Sequence, residues 1–303
     1  MRQSPKDSND MDITSVLAGW HFRPGRINVR LIRGRDGKKK IQWRLDLGLL
    51  QMEVNGRPDA RRPHNMRSEL DYHRQRLARH QKSVRSDQGF SLTGRECQAL
   101  REESVLYYHR YLAFFALGDY DGAVGDTQHN LDVLDMCRKY GRTERDRAIL
   151  EQYRPYILMI QGRARACLAI QQGFARTALA YLRGTLRRIL AVCGHPAGRN
   201  SMEARILLEM IRAVRRHVPP DPKEQLHQLL LQAVAHERYE EAASLRDQIL
   251  AMRTADAIDA ITPLPRRAAP RRRRVGEFIR RRHTKNSLPP ADTGDSSGAP
   301  REA

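Results

Sequence analysis

The chain has 303 residues, 40% hydrophobic and 30% charged, which is enough apolar material for about two compact domains and excludes a wholly disordered chain. Lysine and arginine outnumber aspartate and glutamate 55 to 35, a formal charge of +20, which implies a heavily solvated surface and an affinity for acidic partners. No apolar run approaches the ~20 residues of a bilayer-spanning helix, and the opening MRQSPKDSNDMD lacks a basic stretch before an apolar core, so a cytoplasmic protein without membrane contact is expected.

Residues 1–12 are polar and are expected to be disordered. Residues 13–66 form a small β-meander domain in this reading. Residues 27–31 (INVRL) and 41–47 (IQWRLDL) alternate apolar and polar side chains, as a half-buried strand requires. Asp36-Gly37 between them is a hairpin turn signal, because glycine accepts a positive φ without strain. A third alternating run, 50–54, ends at Asn55-Gly56. The pattern predicts a three-stranded antiparallel sheet over about 20–57, with Trp20, Phe22 and Trp43 as its aromatic core and Arg30, Arg33 and Arg44 outward.

From Ser68 the period becomes helical and stays so through Met252, so the fold class is mainly α. Thr93-Gly94-Arg95-Glu96 is a capping box. It opens a helix whose Val105, Tyr108, Leu112 and Phe115 fall at i, i+3, i+7 and i+10 on one face, and Gly118 ends it. The next helix begins near Tyr120, carries Val124, Leu131 and Leu134 on one side, and stops at Tyr140-Gly141. So short a connection makes the two helices antiparallel. The stretch 116–126, ALGDYDGAVGD, resembles the centre of a tetratricopeptide repeat, with Tyr120 and Ala123 at the aromatic and alanine positions. A second candidate, 171–182, has Phe174 at the aromatic position and its alanine, Ala178, one place late. Pro155 breaks the helical pattern between them. The resemblance implies tetratricopeptide-like helical pairs over 67–218. Ser201 caps a further helix through Ile206, Leu207, Met210, Ile211 and Val214, and Pro219-Pro220-Asp221-Pro222 marks a boundary.

Residues 219–254 read as a helical hairpin. Leu226, Leu229, Leu230, Ala233 and Val234 form a stripe on its first helix, and Ala242, Leu245 and Ile249 recur at i, i+3 and i+7 on its second. Leu231 lies outside the first stripe. Glu240 and Glu241 open the second helix, where its dipole favours negative charge. So small a unit must dock, either on the chain's own helical domain or on an external partner.

Within 223–249 an aromatic, an acid, two alanines, Leu-Arg-Asp and an aliphatic follow one another as Tyr239, Glu240, Ala242, Ala243, Leu245, Arg246, Asp247 and Ile249. This segment resembles the UVR motif, the helical hairpin of the UvrB helicase, the UvrC nuclease and several adaptors. Tyrosine stands where phenylalanine is more usual. The resemblance implies a protein partner bound through Leu226, Leu230 and those signature residues, and a link to the nucleotide excision repair machinery.

Residues 255–303 are rich in proline, arginine, serine and glycine, and a disordered tail is expected. Arg266, Arg267, Arg271, Arg272, Arg273, Arg274, Arg280, Arg281, Arg282 and Lys285 stand against one acid, Glu277. This cluster is a candidate for non-specific nucleic-acid contact. Catalysis finds no pattern: there is no phosphate loop, no HExxH and no CxxC. Cys97, Cys137, Cys167 and Cys193 read as small buried hydrophobes of a reducing compartment. The expectation is a non-enzymatic adaptor or scaffold without cofactor or metal. The alternative is a nucleic-acid binder that uses the tail and the arginine-faced meander, with the hairpin structural.

Overall fold

The computed structural model describes residues 12–194, 197–218 and 222–261. A short helix, α1 (Thr14–Leu17), precedes the strands β1 (Asn28–Arg33), β2 (Lys39–Arg44) and β3 (Leu49–Glu53). They form an antiparallel sheet in the order β1-β2-β3, with Leu31 opposite Ile41 and Ile41 opposite Met52. The turns are the ones the sequence demands: Gly37 and Gly56 take φ of 74° and 73°, and the Gly34 amide donates to the Lys38 carbonyl at 2.8 Å.

The helices follow in order: α2 (Glu69–Val84), α3 (Gly94–Leu117), α4 (Tyr120–Tyr140), α5 (Glu144–Ala148), α6 (Arg154–Gln171), α7 (Ala175–Cys193), α8 (Ala197–Asn200), α9 (Met202–Arg215), α10 (Pro222–Ala235) and α11 (Tyr239–Ile261). Their ends are locally encoded. The Thr93 hydroxyl accepts from the Glu96 amide while the Glu96 carboxylate accepts from the Thr93 amide at 2.7 Å, which completes the capping box. Gly118 closes α3 at φ 79°, and Ser201 caps α9 by accepting from the Ala204 amide. Pro155 sits in the first turn of α6, where a missing amide costs nothing, so the break falls before it. No strand occurs among the described residues after Glu53.

Helices pack in sequence, α3 on α4, α4 on α6, α6 on α7 and α7 on α9. Gly162 of α6 faces Thr185 of α7 so closely that a Cβ would lie 2.2 Å from the threonine hydroxyl. The core runs continuously from Ile41 and Met52 of the sheet through Leu100, Tyr111, Leu134, Met159 and Leu182 to Leu207. Cys97, Cys137 and Cys167 are buried in it and Cys193 is half-buried. The Cys97 and Cys137 thiols hydrogen-bond to one another; that bond, with burial, pushes the Cys137 thiol far up.

One buried polar centre joins the sheet to the helices, and a second joins three helices to the segment after β3. Arg110 of α3 donates to both carboxylate oxygens of Asp126 on α4, at 2.7 and 2.8 Å. Its remaining amine reaches the Glu53 and Gly56 carbonyls at 3.0 and 2.7 Å. Glu103, fully buried, accepts from the Glu69 and Leu70 amides at the start of α2 and lies 3.0 Å from His129 and 3.6 Å from Arg57. Burial raises this carboxyl, but the bonds from His129 and the two amides outweigh it and hold it below its ordinary value.

Several expected positions differ. Trp20 and Trp43 do not share a core. Trp43 meets His109 of α3 edge-on at 5.9 Å, whereas Trp20 lies under the Arg30 guanidinium at 4.0 Å, and Arg30 is on the opposite sheet face from Trp43 by register. Arg30 is therefore half-buried, its Nε donating to Gln42. Val105 is 51% exposed, because the buried stripe of α3 turns through Leu100, Tyr107, Tyr111 and Phe114. In the two tetratricopeptide-like segments, Tyr120 is buried against Phe115, but Phe174 is 60% exposed. The segments are thus not equivalent. Helix α11 continues past residue 254 to Ile261; alanine-rich sequence extends a helix cheaply until Pro263 disfavours it. The expected disorder of 1–11 and 262–303, and the arginine cluster 266–282, lie outside the described residues.

Candidate protein-interaction site: the C-terminal hairpin

Helices α10 and α11 are joined by a tight turn. The Arg238 amide donates to the Ala233 carbonyl at 2.8 Å and the Glu237 amide to the Val234 carbonyl, with Glu237 at φ 57°. This is a Schellman closure with glutamate in the left-handed position that glycine usually fills. Arg238 pairs with Glu241 at 3.1 Å across the first turn of α11.

The seam between the two helices is a hydrophobic cluster separate from the main core: Ala233, Ala242 and Leu245 are buried in it, with Leu226 and Leu230 packed against them. Ile249 is buried as well. These are the residues the periodicity selected, and Ala242 keeps the helices close. Leu229 and Val234 are about half exposed, although they belong to the expected stripe. At 100° per residue they stand about 60° and 80° away from Leu226 on opposite flanks, too far round for one partner helix to cover. Leu231 is 69% exposed, as its wheel position implies.

The signature residues divide into two sets. Ala242 and Leu245 face the seam, and the buried Ile249 continues their stripe along α11. Tyr239, Ala243 and Arg246 fall at i, i+4 and i+7 on a second stripe of α11, and all are exposed, Tyr239 by 67%. Tyr239 therefore does not close the end of the helix pair, which the backbone turn closes by itself. Glu240 and Asp247 are exposed too, Asp247 accepting from Arg246 at 3.0 Å. The seam residues hold the hairpin together, and the outer stripe lies outside that hydrophobic cluster. Leu229 and Val234, missed as surface residues, were legible from wheel angles had the stripe been limited to what α11 can cover.

No group of three or more histidine, cysteine, aspartate or glutamate residues that could hold a metal occurs among the described residues. No described helix is long and apolar enough to cross a membrane.

The UvrB/uvrC motif, UVR, matches residues 222–255, which is the hairpin with its seam and its outer stripe. In UvrB and UvrC this motif mediates protein interaction. No curated protein and no solved structure matches the chain.

Proposed function

We propose that this chain is a non-enzymatic adaptor in which a helical body carries a UVR-type hairpin that binds a protein partner. One observation carries the reading. The motif's specified residues include a stripe, Tyr239, Ala243 and Arg246, that is exposed and is not needed to build the hairpin, whose own seam is closed by Ala233, Ala242 and Leu245. An exposed aromatic ring and a guanidinium two turns apart on one helix face have the composition of a binding hot spot. In its finer form the partner presents a matching hairpin, as UvrB and UvrC do for one another. The arginine-rich tail adds electrostatic attraction.

The test is affinity capture of the intact protein from nuclease-treated lysate beside Tyr239→Glu/Arg246→Glu. Both side chains are exposed, so the hairpin keeps its helicity, checked by circular dichroism. Loss of a specific protein with the variant is expected. An unaltered set of captured proteins with the hairpin intact would sink the adaptor reading.

A further inference from the structure

Positive charge is concentrated at the N-terminal sheet, far along the chain from the hairpin. Residues 20–67 hold thirteen lysines and arginines against four acids, a net +9 of the total +20. Only part of this is neutralised inside the fold. Lys40 lies against Asp36 at 3.2 Å and against Glu53, and Arg57 lies 3.2 Å from Asp59 and 3.6 Å from Glu103. Arg44 donates to the Leu45 and Gly48 carbonyls. Arg33, Lys38, Lys39, Arg62 and Arg67 are exposed, and none forms an ion pair with a carboxylate among the described residues.

The fold brings the basic β1-β2 turn and the start of segment 54–67 to one end of the sheet. Arg33 pairs with Lys39, and Lys40 with Glu53, so the β1-β2 turn and the end of β3 coincide, and segment 54–67 leaves from there. That segment ends in an open cleft of about 410 Å³ lined by Arg62, Asn65, Met66, Arg67 and Asp71. Ala60, His64 and Asn65 hold φ of 63°, 50° and 58°, a left-handed conformation that residues with a side chain adopt only when the surroundings impose it. The surroundings here are the Glu53 amide donating to the Pro58 carbonyl at 2.9 Å, and His64 stacked on Tyr72 at 3.9 Å and 3.3 Å from Glu69. Asp71, the one acid of the lining, is 3.8 Å from Arg74, which also pairs with Asp132 at 2.6 Å. The cleft thus offers two guanidiniums and a carboxamide to solvent.

We infer that this cleft, together with the basic β1-β2 turn, binds the phosphodiester backbone of a nucleic-acid strand. The guanidinium fork matches phosphate oxygens bidentately. A single small anion would occupy Arg62 and Arg67 and leave Arg33, Lys38 and Lys39 unneutralised, whereas a chain of phosphates uses all of them. One face of Trp20 is covered by Arg30 and one face of His64 by Tyr72, and the recognition proposed here is of the phosphates. Binding is accordingly independent of sequence and governed by salt.

The test uses the full chain, tail included, and a fluorescently labelled mixed-sequence strand of about 20 nucleotides, single-stranded and as duplex, read by anisotropy. Arg62→Glu/Arg67→Glu is compared with Arg187→Glu/Arg188→Glu on the exposed face of α7, an equal change of charge. The cleft pair is expected to weaken binding at least about tenfold near 0.1 M salt and to lower the slope of log affinity against log salt by about 1.4–1.8, for two lost phosphate contacts. The α7 pair should lose less than about threefold. The nucleic-acid form that loses affinity identifies the source of the backbone. Arg62→Gln/Arg67→Gln reads the same site should the glutamate pair melt early. Equal losses for the two positions, no loss at the cleft, or full displacement of both strand forms by an equal concentration of polyglutamate would overturn the inference.

Discussion

Replacing Leu245 with aspartate should melt the hairpin and leave the rest of the molecule intact. Leu245 is 8% exposed and packs in the seam with Ala233 and Ala242, so the transfer contribution lost is about 2–3 kcal/mol. A carboxylate in that seam adds a desolvation cost of several kcal/mol unless the helices part. A hairpin of this size with one leucine-alanine seam holds at most a few kcal/mol of net stability, so the substitution exceeds what it has. The main core, running from Ile41 to Val214, does not include Leu245. Hydrogen exchange by mass spectrometry resolves the two parts: amides of 225–252 should lose protection almost completely, while those of α3, α4 and α6 keep theirs. The main thermal transition should move by no more than about 1 °C, since no core contact is lost. A fall of several degrees in that transition would refute the separation of the two hydrophobic clusters. It would place the hairpin seam in the energetics of the helical body.

Asp126→Ala strands the Arg110 guanidinium in the core against two carbonyls, and should cost about 3–5 kcal/mol in chemical denaturation, with sheet and helices loosening together. Gly162→Ala forces a methyl onto Thr185, whose hydroxyl is tied to the Tyr181 carbonyl at 2.8 Å. A loss of about 1–3 kcal/mol is expected, and an unchanged melting temperature would show that α6 and α7 can separate freely. Burial holds the His73 imidazole down to about 4 from 6.5, and Arg76 donates to its Nδ1. The unfolded chain therefore takes up a proton between pH 6.5 and 4 that the folded chain refuses, so stability is full above that window and falls within it by up to roughly 3 kcal/mol. His73→Gln should flatten that part of the pH profile of the melting temperature, and a slope unchanged by the substitution would assign it to other groups.

What could be read in the sequence were the features whose physics lies within a few residues. The Asp36-Gly37 and Asn55-Gly56 turns, the Thr93 capping box, the Gly118 stop, the Ser201 cap and the UVR signature depend on φ preferences, first-turn hydrogen bonds or a spacing of three and four. The switch from period 2 to period 3.6 at Ser68 reflects which positions can face one side at all. Each survives in the structure because no distant contact is needed to enforce it.

The tertiary structure decided which of several apolar or charged faces is buried. Val105 and Phe174 have the composition of core residues and are exposed, because α3 and α7 turn other stripes inward. Arg110 and Glu103 are charged and nevertheless buried, because partners arrive from 57 and 34 residues away. Arg62 and Arg67 were two arginines among 55 basic residues until segment 54–67 bent them to one cleft. In the hairpin, spacing selected the seam, but only the assembled pair of helices separated Ala242, Leu245 and Ile249 from the exposed Tyr239, Ala243 and Arg246. A helical pattern names the residues that can share a face, and burial of that face is settled by whichever element packs against it and leaves least apolar surface and fewest unpaired polar groups.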